Sequence, residues 1–431
     1  MVIARRIAPW RSSLLQALPP GAPFSLPPFG RGQRVHSSLL FARQAVCFLR
    51  HRVFVRANLT MKPLLSLLAL CAFATAGLRA GDDLPALKDV FAGKFLIGGA
   101  VGSNVALQPG HPLRPLVEKH FNSLVSTNLM KWGPYNPQPG EYNDAEAGAF
   151  FGYGKAHGMH MVGHTLFWHS QTPKWVYEDS EGQPLSRDAL LKRMRERVQR
   201  VAKLYGPSTD AWDVVNEAII EDGSVRKTSF SRILGDDWVI EAFKIATEEL
   251  PKNIQLLYND YNMETPGRLK SVVQLVHDLR ARGLRIDAVG SQAHWRLETP
   301  TIAEIEASIV ALRDAGVKVH FTELDVEVLP RRVNGAEISM REQRTPENDP
   351  YTAGLPPEIQ EKLAKRYADI FALFLKNDDV IERVTFWGVT DGDSWLNNWP
   401  VRGRTNHPLL FDRAGQPKPA FHAVIETATQ P

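Results

Sequence analysis

Cysteine is nearly absent from the 431-residue chain. Its two, Cys47 and Cys71, both fall in the first eighty residues. The rest of the chain therefore depends on no disulfide and no thiol chemistry. Acidic residues and lysine are missing from residues 1–60, which carry nine Arg and are rich in Pro, Gly and Ser. That composition resembles a transit peptide, not a folded core. Long apolar runs are scarce too. The run Leu64 to Ala76 is too short to span a bilayer comfortably as a permanent helix. It follows the basic start Met61-Lys62-Pro63 and leads to small residues, with cleavage candidates at Ala74-Thr75-Ala76 and Leu78-Arg79-Ala80. This is the order of a secretory signal. The expectation is a spurious or unstructured extension over 1–60, a signal peptide over 61–80, and a secreted domain over 81–431.

The net charge of +4 belongs to the first eighty residues. Without them, 40 basic residues face 47 acidic ones, a net of −7. A nucleic-acid partner, which needs a basic surface, loses its support. About 350 residues can bury a large core unaided. No low-complexity linker and no short repeat interrupts residues 85–428. A single domain is expected, monomeric and with no membrane association once the signal is gone.

What is present is alternation. Eight apolar runs read as strands: Phe95–Val101, Asn122–Thr127, His160–Trp168, Ala211–Asn216, Ile254–Asn259, Ile286–Gln292, Val317–Glu323 and Arg383–Gly388. Helical patterns lie between them. Leu191, Met194, Val198, Val201 and Tyr205 recur at threes and fours, with Gly206 expected as a C′ glycine and the Arg and Lys residues on a solvated face. Others cover Thr301–Gly316 and Pro357–Lys376, and Gly158 is expected to end another. Eight β/α units in one uninterrupted domain predict a (β/α)8 TIM barrel. An open doubly wound sheet would call for a glycine-rich phosphate loop after its first strand, and none is there.

In such a barrel, chemistry sits where the strands end. The second run ends at Asn128, followed by Lys131, and the third carries His164, Trp168, His169 and Gln171. The fourth delivers Asn216 and Glu217, the fifth Asn259, Asp260, Tyr261 and Asn262, and the sixth Gln292, His294 and Trp295. The seventh delivers Glu323 and Asp325, and the eighth Trp387, with Asp391 and Trp395 in the loop beyond. A Glu at the exit of a strand is either a salt-bridged cap or a working acid. Two such strands, each with one Glu, are the minimum equipment for splitting a glycosidic bond: one carboxyl donates a proton, the other attacks carbon or activates water. Amides and Lys hydrogen-bond sugar hydroxyls, and tryptophan faces stack on sugar rings. The spacing of His157, His160, His164 and His169 suggests a metal cluster. Only some of these can share a strand face, however, and no ligand motif of a known type appears. No metal and no cofactor are expected. Asp213 reads as a structural hydrogen-bonding partner.

Gly163-His164-Thr165-Leu166-Phe167-Trp168-His169-Ser170-Gln171, Trp212-Asp213-Val214-Val215-Asn216-Glu217-Ala218 and Phe321-Thr322-Glu323-Leu324-Asp325 resemble the glycoside hydrolase family 10 endo-β-1,4-xylanases, which are retaining enzymes. So do Asn259-Asp260-Tyr261-Asn262, Gln292-Ala293-His294, Phe386-Trp387-Gly388-Val389-Thr390-Asp391 and the closing Pro408–Asp412 and Pro417–Phe421. The likeness covers roughly residues 85–425. It implies Glu217 as acid/base and Glu323 as nucleophile, with Asn216 on the sugar 2-hydroxyl and His294 and Asp325 supporting Glu323. Asn128, Lys131, His164, Trp168, Gln171, Trp387 and Trp395 would line the glycone side, Gln292 would belong to the site, and Tyr261 would lie toward the leaving group. The nucleophile would hold a low pKa and the acid a raised one, with the carboxyls about 5–5.5 Å apart. The implied substrate is xylan or a related polysaccharide. Other readings are a retaining enzyme for another β-1,4-glycan or for short xylo-oligosaccharides, or a non-catalytic carbohydrate-binding barrel, which would be expected to lack one Glu.

Two positions depart from the family. Thr127 precedes Asn128 where a Glu is common, and Leu396 follows Ser394-Trp395 where an Arg is common, with Arg402 or Arg404 as replacements from the same loop. Residues Leu329–Leu355 form a long irregular loop after the seventh run, able to reshape the cleft or simply be mobile.

Overall fold

A computed structural model describes residues 84–332 and 336–429. The extension over 1–60 and the signal peptide over 61–80 expected above lie outside those residues. Within them the chain forms nine strands: β1 (Leu96–Val101), β2 (Ser123–Ser126), β3 (His160–Trp168), β4 (Ala211–Asn216), β5 (Gln255–Asp260), β6 (Ala288–Ser291), β7 (His294–Arg296), β8 (Lys318–Glu327) and β9 (Ile381–Phe386). Neighbours run parallel from β1 to β6. β6 then pairs with β8, and β9 pairs with β1, so eight strands close into a barrel with β7 outside the ring. The expected (β/α)8 architecture is observed.

Strand and helix faces explain the closure. Ala100, Val125, Val162, Ala211, Leu257 and Ala288 fill the barrel with Trp387, while a larger cluster lies between the strands and the outer helices. The helix Pro357–Lys376 buries Leu363, Tyr367, Ile370, Phe371 and Phe374 at spacings of three and four. The helix Ile302–Asp314 opens on a capping box between Thr301 and Glu304. Gly163 is required by packing: a Cβ there would stand 2.3 Å from the Trp212 ring on the adjacent strand.

Three expectations need correction. The seventh run does not stop at Glu323. β8 continues to Glu327, because β7 pairs with Asp325, Val326 and Glu327 beyond the barrel ring. Gly206 is not a left-handed cap. It keeps right-handed helical angles and starts a 3₁₀ turn through Pro207 and Ser208. The basic residues of the helix Arg187–Tyr205 do not all face solvent, since Arg197 is 6% exposed. Its guanidinium donates to the carbonyls of Leu166 (2.9 Å), Met130 (2.6 Å) and Thr165 (3.1 Å) and lies over the Trp132 ring. Arg197 thus ties the end of β3 to the segment that carries Lys131.

Replacing Arg197 by Met leaves these carbonyls without their donor. We expect a loss of roughly 3 kcal/mol in unfolding free energy by denaturant titration, with Arg197→Lys intermediate. An unchanged midpoint would show that the carbonyls do not need the guanidinium.

Candidate active site

The backbone turns sharply where the strands end. Among the described residues, four that are not glycine adopt positive φ: Gln171 (52°), Glu217 (57°), Asn262 (47°) and Ala293 (59°). They follow β3, β4, β5 and β6 by one to three residues. This conformation costs a side-chain-bearing residue about 1 kcal/mol or more, and such strain clusters at functional sites. The turn at Glu217 is held by its amide N–H, which donates to the Asn259 carbonyl at 2.9 Å.

The two carboxylates are wired through amides. Glu217 Oε2 accepts from Trp168 Nε1 at 2.9 Å, and its Oε1 accepts from Gln292 Nε2 at 3.0 Å and Asn216 Nδ2 at 3.1 Å. Glu323 Oε1 accepts from Asn259 Nδ2 at 2.9 Å. The same Nδ2 donates to Asn216 Oδ1 at 2.8 Å, and Asn259 Oδ1 accepts from Thr322 Oγ1 at 2.6 Å. One primary amide has two N–H bonds. Asn259 gives one to Glu323 and the other to the residue that orients Glu217, so each carboxylate constrains the other.

Their charge environments differ. His294 Nε2 is 3.3 Å from Glu323 Oε2, and its Nδ1 is 3.1 Å from Asp325 Oδ1. Burial alone would depress the imidazole, but the Asp325 and Glu323 carboxylates outweigh it and lift His294 to about 9. An imidazolium therefore faces Glu323 at neutral pH. Burial pushes the Glu323 carboxyl up, yet the His294 hydrogen bond and the charges of His164, His294 and Lys131 bring it below its ordinary value. Burial lowers Lys131 to about 8, with Glu323 and Glu217 opposing the shift. Its Nζ contacts Asn128 Oδ1 at 3.0 Å and lies 4.8 Å above the Trp168 ring. His164 holds Asp213 at 2.8 Å, as a structural partner should.

A cleft of about 420 Å³ brings together Asn128, Lys131, His164, Trp168, Gln171, Asn216, Glu217, Gln292, His294, Glu323, Trp387 and Trp395. Asp325 lies beneath it, 1% exposed, accepting from Trp395 Nε1 at 2.8 Å. Tyr261 is not brought to the cleft wall. It is 3% exposed, with its hydroxyl accepting from Arg226 Nη2 at 2.8 Å and the Arg268 guanidinium over its ring. The histidines considered as a metal cluster are dispersed: His157 meets Glu118, His164 meets Asp213, His169 approaches Glu337, and His160 is half-buried at the start of β3.

Neither proposed arginine replacement reaches the cleft. Arg404 is 2% exposed and pairs with buried Glu327, and Arg402 is exposed away from the lining. Leu396 is buried. The arginine that lines the cleft is Arg341, from the long loop after β8, which also contributes Ala336 and Ile338 to the wall. Glu337 in that loop reaches Arg226 beyond β4 at 3.0 Å and His169 beyond β3 at 3.9 Å, across the barrel mouth. Trp399 Nε1 donates to the Glu337 carbonyl at 3.1 Å, and the Trp399 ring stacks on Trp395 at 4.5 Å. Sequence reasoning missed Glu337 and Arg341 in the loop after β8 and Trp399 in the loop after β9, since neither loop has a period that would place them. Asn259 was legible as a strand-exit amide, but its bridging position was not.

Two carboxylates in contrasting surroundings, above a tryptophan-walled cleft at the mouth of a parallel barrel, place the protein among the barrel glycoside hydrolases. Residues 86–427 match Glycosyl hydrolase family 10, and the chain belongs to that family. It is 40% identical over 347 residues to endo-1,4-beta-xylanase A of Xylanibacter ruminicola, covering 80% of this chain and 94% of that protein. It is 39% identical to an endo-1,4-beta-xylanase of Geobacillus stearothermophilus, covering 80% of this chain and 99% of the relative. Among solved structures, a family 10 endoxylanase from a sugarcane-soil metagenome shares 43% identity with a TM-score of 0.77, over 79% of this chain and 99% of that one. Xylanase XynB of Paenibacillus barcinonensis shares 36% identity with a TM-score of 0.72, over 80% of this chain and 99% of that one.

The raised value of His294 makes stability depend on pH. Its value of about 9 lies above the ordinary 6.5 of the unfolded chain, so the stabilisation is complete below pH 6.5 and is lost as pH rises through 9. Between those limits the wild type should lose on the order of 3 kcal/mol more unfolding free energy than His294→Gln. Parallel losses in denaturant titrations of the two proteins would mean that His294 is uncharged in the fold.

Proposed function

We propose that the protein is an endo-1,4-β-xylanase that cleaves internal β-1,4-xylosidic bonds with retention, using Glu323 as nucleophile and Glu217 as acid/base. The observation that carries this reading is the contrast between the two carboxylates. Glu323 faces the His294 imidazolium and is held ionised, ready to attack the anomeric carbon. Glu217, held by an indole and two amides, gives its proton to the departing glycosidic oxygen. The glycosyl ester on Glu323 is then hydrolysed by water whose proton passes to Glu217, restoring both groups. Asn216, whose amide donates to Glu217, binds the sugar 2-hydroxyl in this reading. Lys131, Trp387 and Trp395 supply hydrogen-bonding and stacking surfaces for the glycone.

The names of the relatives favour xylan over other β-1,4-glycans. The basic, apolar and small-residue order of 61–80 supports secretion. Mass spectrometry of the natural N-terminus tests that part: a peptide from 1–60 in the released enzyme would refute it.

The activity is tested by chromatography of products from soluble xylan, with soluble cellulose as control, and by proton NMR of the first products. A ladder of xylo-oligosaccharides from xylan alone, released as the β-anomer, is expected. Initial α-anomer would exclude retention, and equal attack on cellulose would exclude the xylan preference. Glu323→Ala should lose at least about a thousandfold in kcat while still binding xylo-oligosaccharide.

A further inference from the structure

The cleft carries a cation whose charge no acid takes up among the described residues. Arg341 lines the wall and is exposed. Its Nη1 donates to the Ile338 and Met340 carbonyls of its own loop. Among the described residues no carboxylate lies within ion-pairing distance of it, and no hydrogen bond is made by its Nε or Nη2. The other cleft cations are engaged: Lys131 by Asn128 and by the charges of Glu217 and Glu323, and His294 by Asp325 and Glu323.

The acids on this wall do not offset Arg341. Asp393 accepts from the amides of Val389 and Thr390 and from the Thr390 hydroxyl, so its charge is turned to its own turn. Thr127 stands in the lining where the family commonly has Glu. Leu396 takes away the arginine common in the family and Arg341 brings one in from another loop, so the loss of the acid at Thr127 is what shifts the charge of this wall. A xylose backbone offers only hydroxyls and ether oxygens. A guanidinium with free donors in a fixed plane is matched to a carboxylate, which it can hold with two parallel charge-assisted hydrogen bonds.

We propose that Arg341 forms a subsite for a carboxylate-bearing sugar branch, a uronic acid carried on the β-1,4-xylan backbone. The inference rests on the xylanase reading above and specifies which xylan the enzyme favours. The branch carboxylate binds Arg341 at the cleft wall while the backbone occupies the floor over Glu217 and Glu323. Thr127 leaves the wall without the negative charge that would repel it.

The test uses the purified enzyme and three substrates. These are unsubstituted xylohexaose, a xylo-oligosaccharide with one glucuronic acid branch, and the same oligosaccharide with the branch carboxyl reduced to the alcohol. The ratio of kcat/KM for the acidic to the reduced substrate isolates the charge. In the wild type it should be about ten at low salt and fall as salt is added. Arg341→Gln should bring it to about one, Arg341→Lys should keep part of it, and Thr127→Glu should lower it. A wild-type ratio near one, or a ratio that Arg341→Gln does not change, overturns the proposal. Failure to cleave xylohexaose at all would instead overturn the xylanase reading on which it stands.

Discussion

One imidazole between two carboxylates governs the electrostatics of the barrel mouth. Without His294, Asp325 and Glu323 would be two buried anions on the same strand, an arrangement that costs several kcal/mol unless a cation intervenes. With it, Asp325 stays buried and Glu323 stays ionised. The contacts spread from there. Trp395 donates to Asp325 and packs on His294 at 4.7 Å, Trp399 stacks on Trp395, and Glu337 takes the Trp399 indole N–H on its carbonyl. The Glu337 carboxylate then meets Arg226, whose Nε donates to the Glu217 carbonyl at 3.0 Å. The supports of the two carboxylates are thus joined through one continuous set of polar and aromatic contacts.

The second support is stiff because its groups are fully used. Asn259 is 0% exposed and divides its two donors between Glu323 and Asn216. Rotating either carboxylate would strand a buried amide. Below this layer, Arg197 binds three backbone carbonyls around the end of β3, and Gly163 admits the Trp212 ring. Residues far from the chemistry therefore set the height and direction of the loops that carry it. The strained turns at Gln171, Glu217, Asn262 and Ala293 persist because these surroundings over-determine them.

Much of this was readable in advance, for a physical reason. Apolar runs alternating with helical periods report the burial of strand cores and helix faces, and that burial is local in sequence. The Pro357–Lys376 helix and the eight barrel strands follow from it. Residues at strand exits were readable because barrel geometry sends them to one rim. What failed depended on neighbours distant in the chain. Arg197 looked solvated because its acceptors lie some thirty or more residues away. Gly206 looked like a cap, but the following Pro207 carries the chain into a further turn. Arg402 and Arg404 looked available for the cleft, yet Glu327 claims Arg404, and the cleft draws its arginine from another loop.

By itself the sequence determined that the chain is a (β/α)8 barrel with Glu217 and Glu323 at its rim, because periodicity and strand-end position are properties of short segments. Only the tertiary structure decided that Asn259 links Glu323 to the Asn216 that holds Glu217, that Tyr261 is buried against Arg226 and Arg268, and that among the described residues no acid pairs with Arg341 in the cleft. These are facts about which side chains meet across the barrel mouth. No local pattern encodes them, since each depends on strands and loops brought together only when the barrel closes.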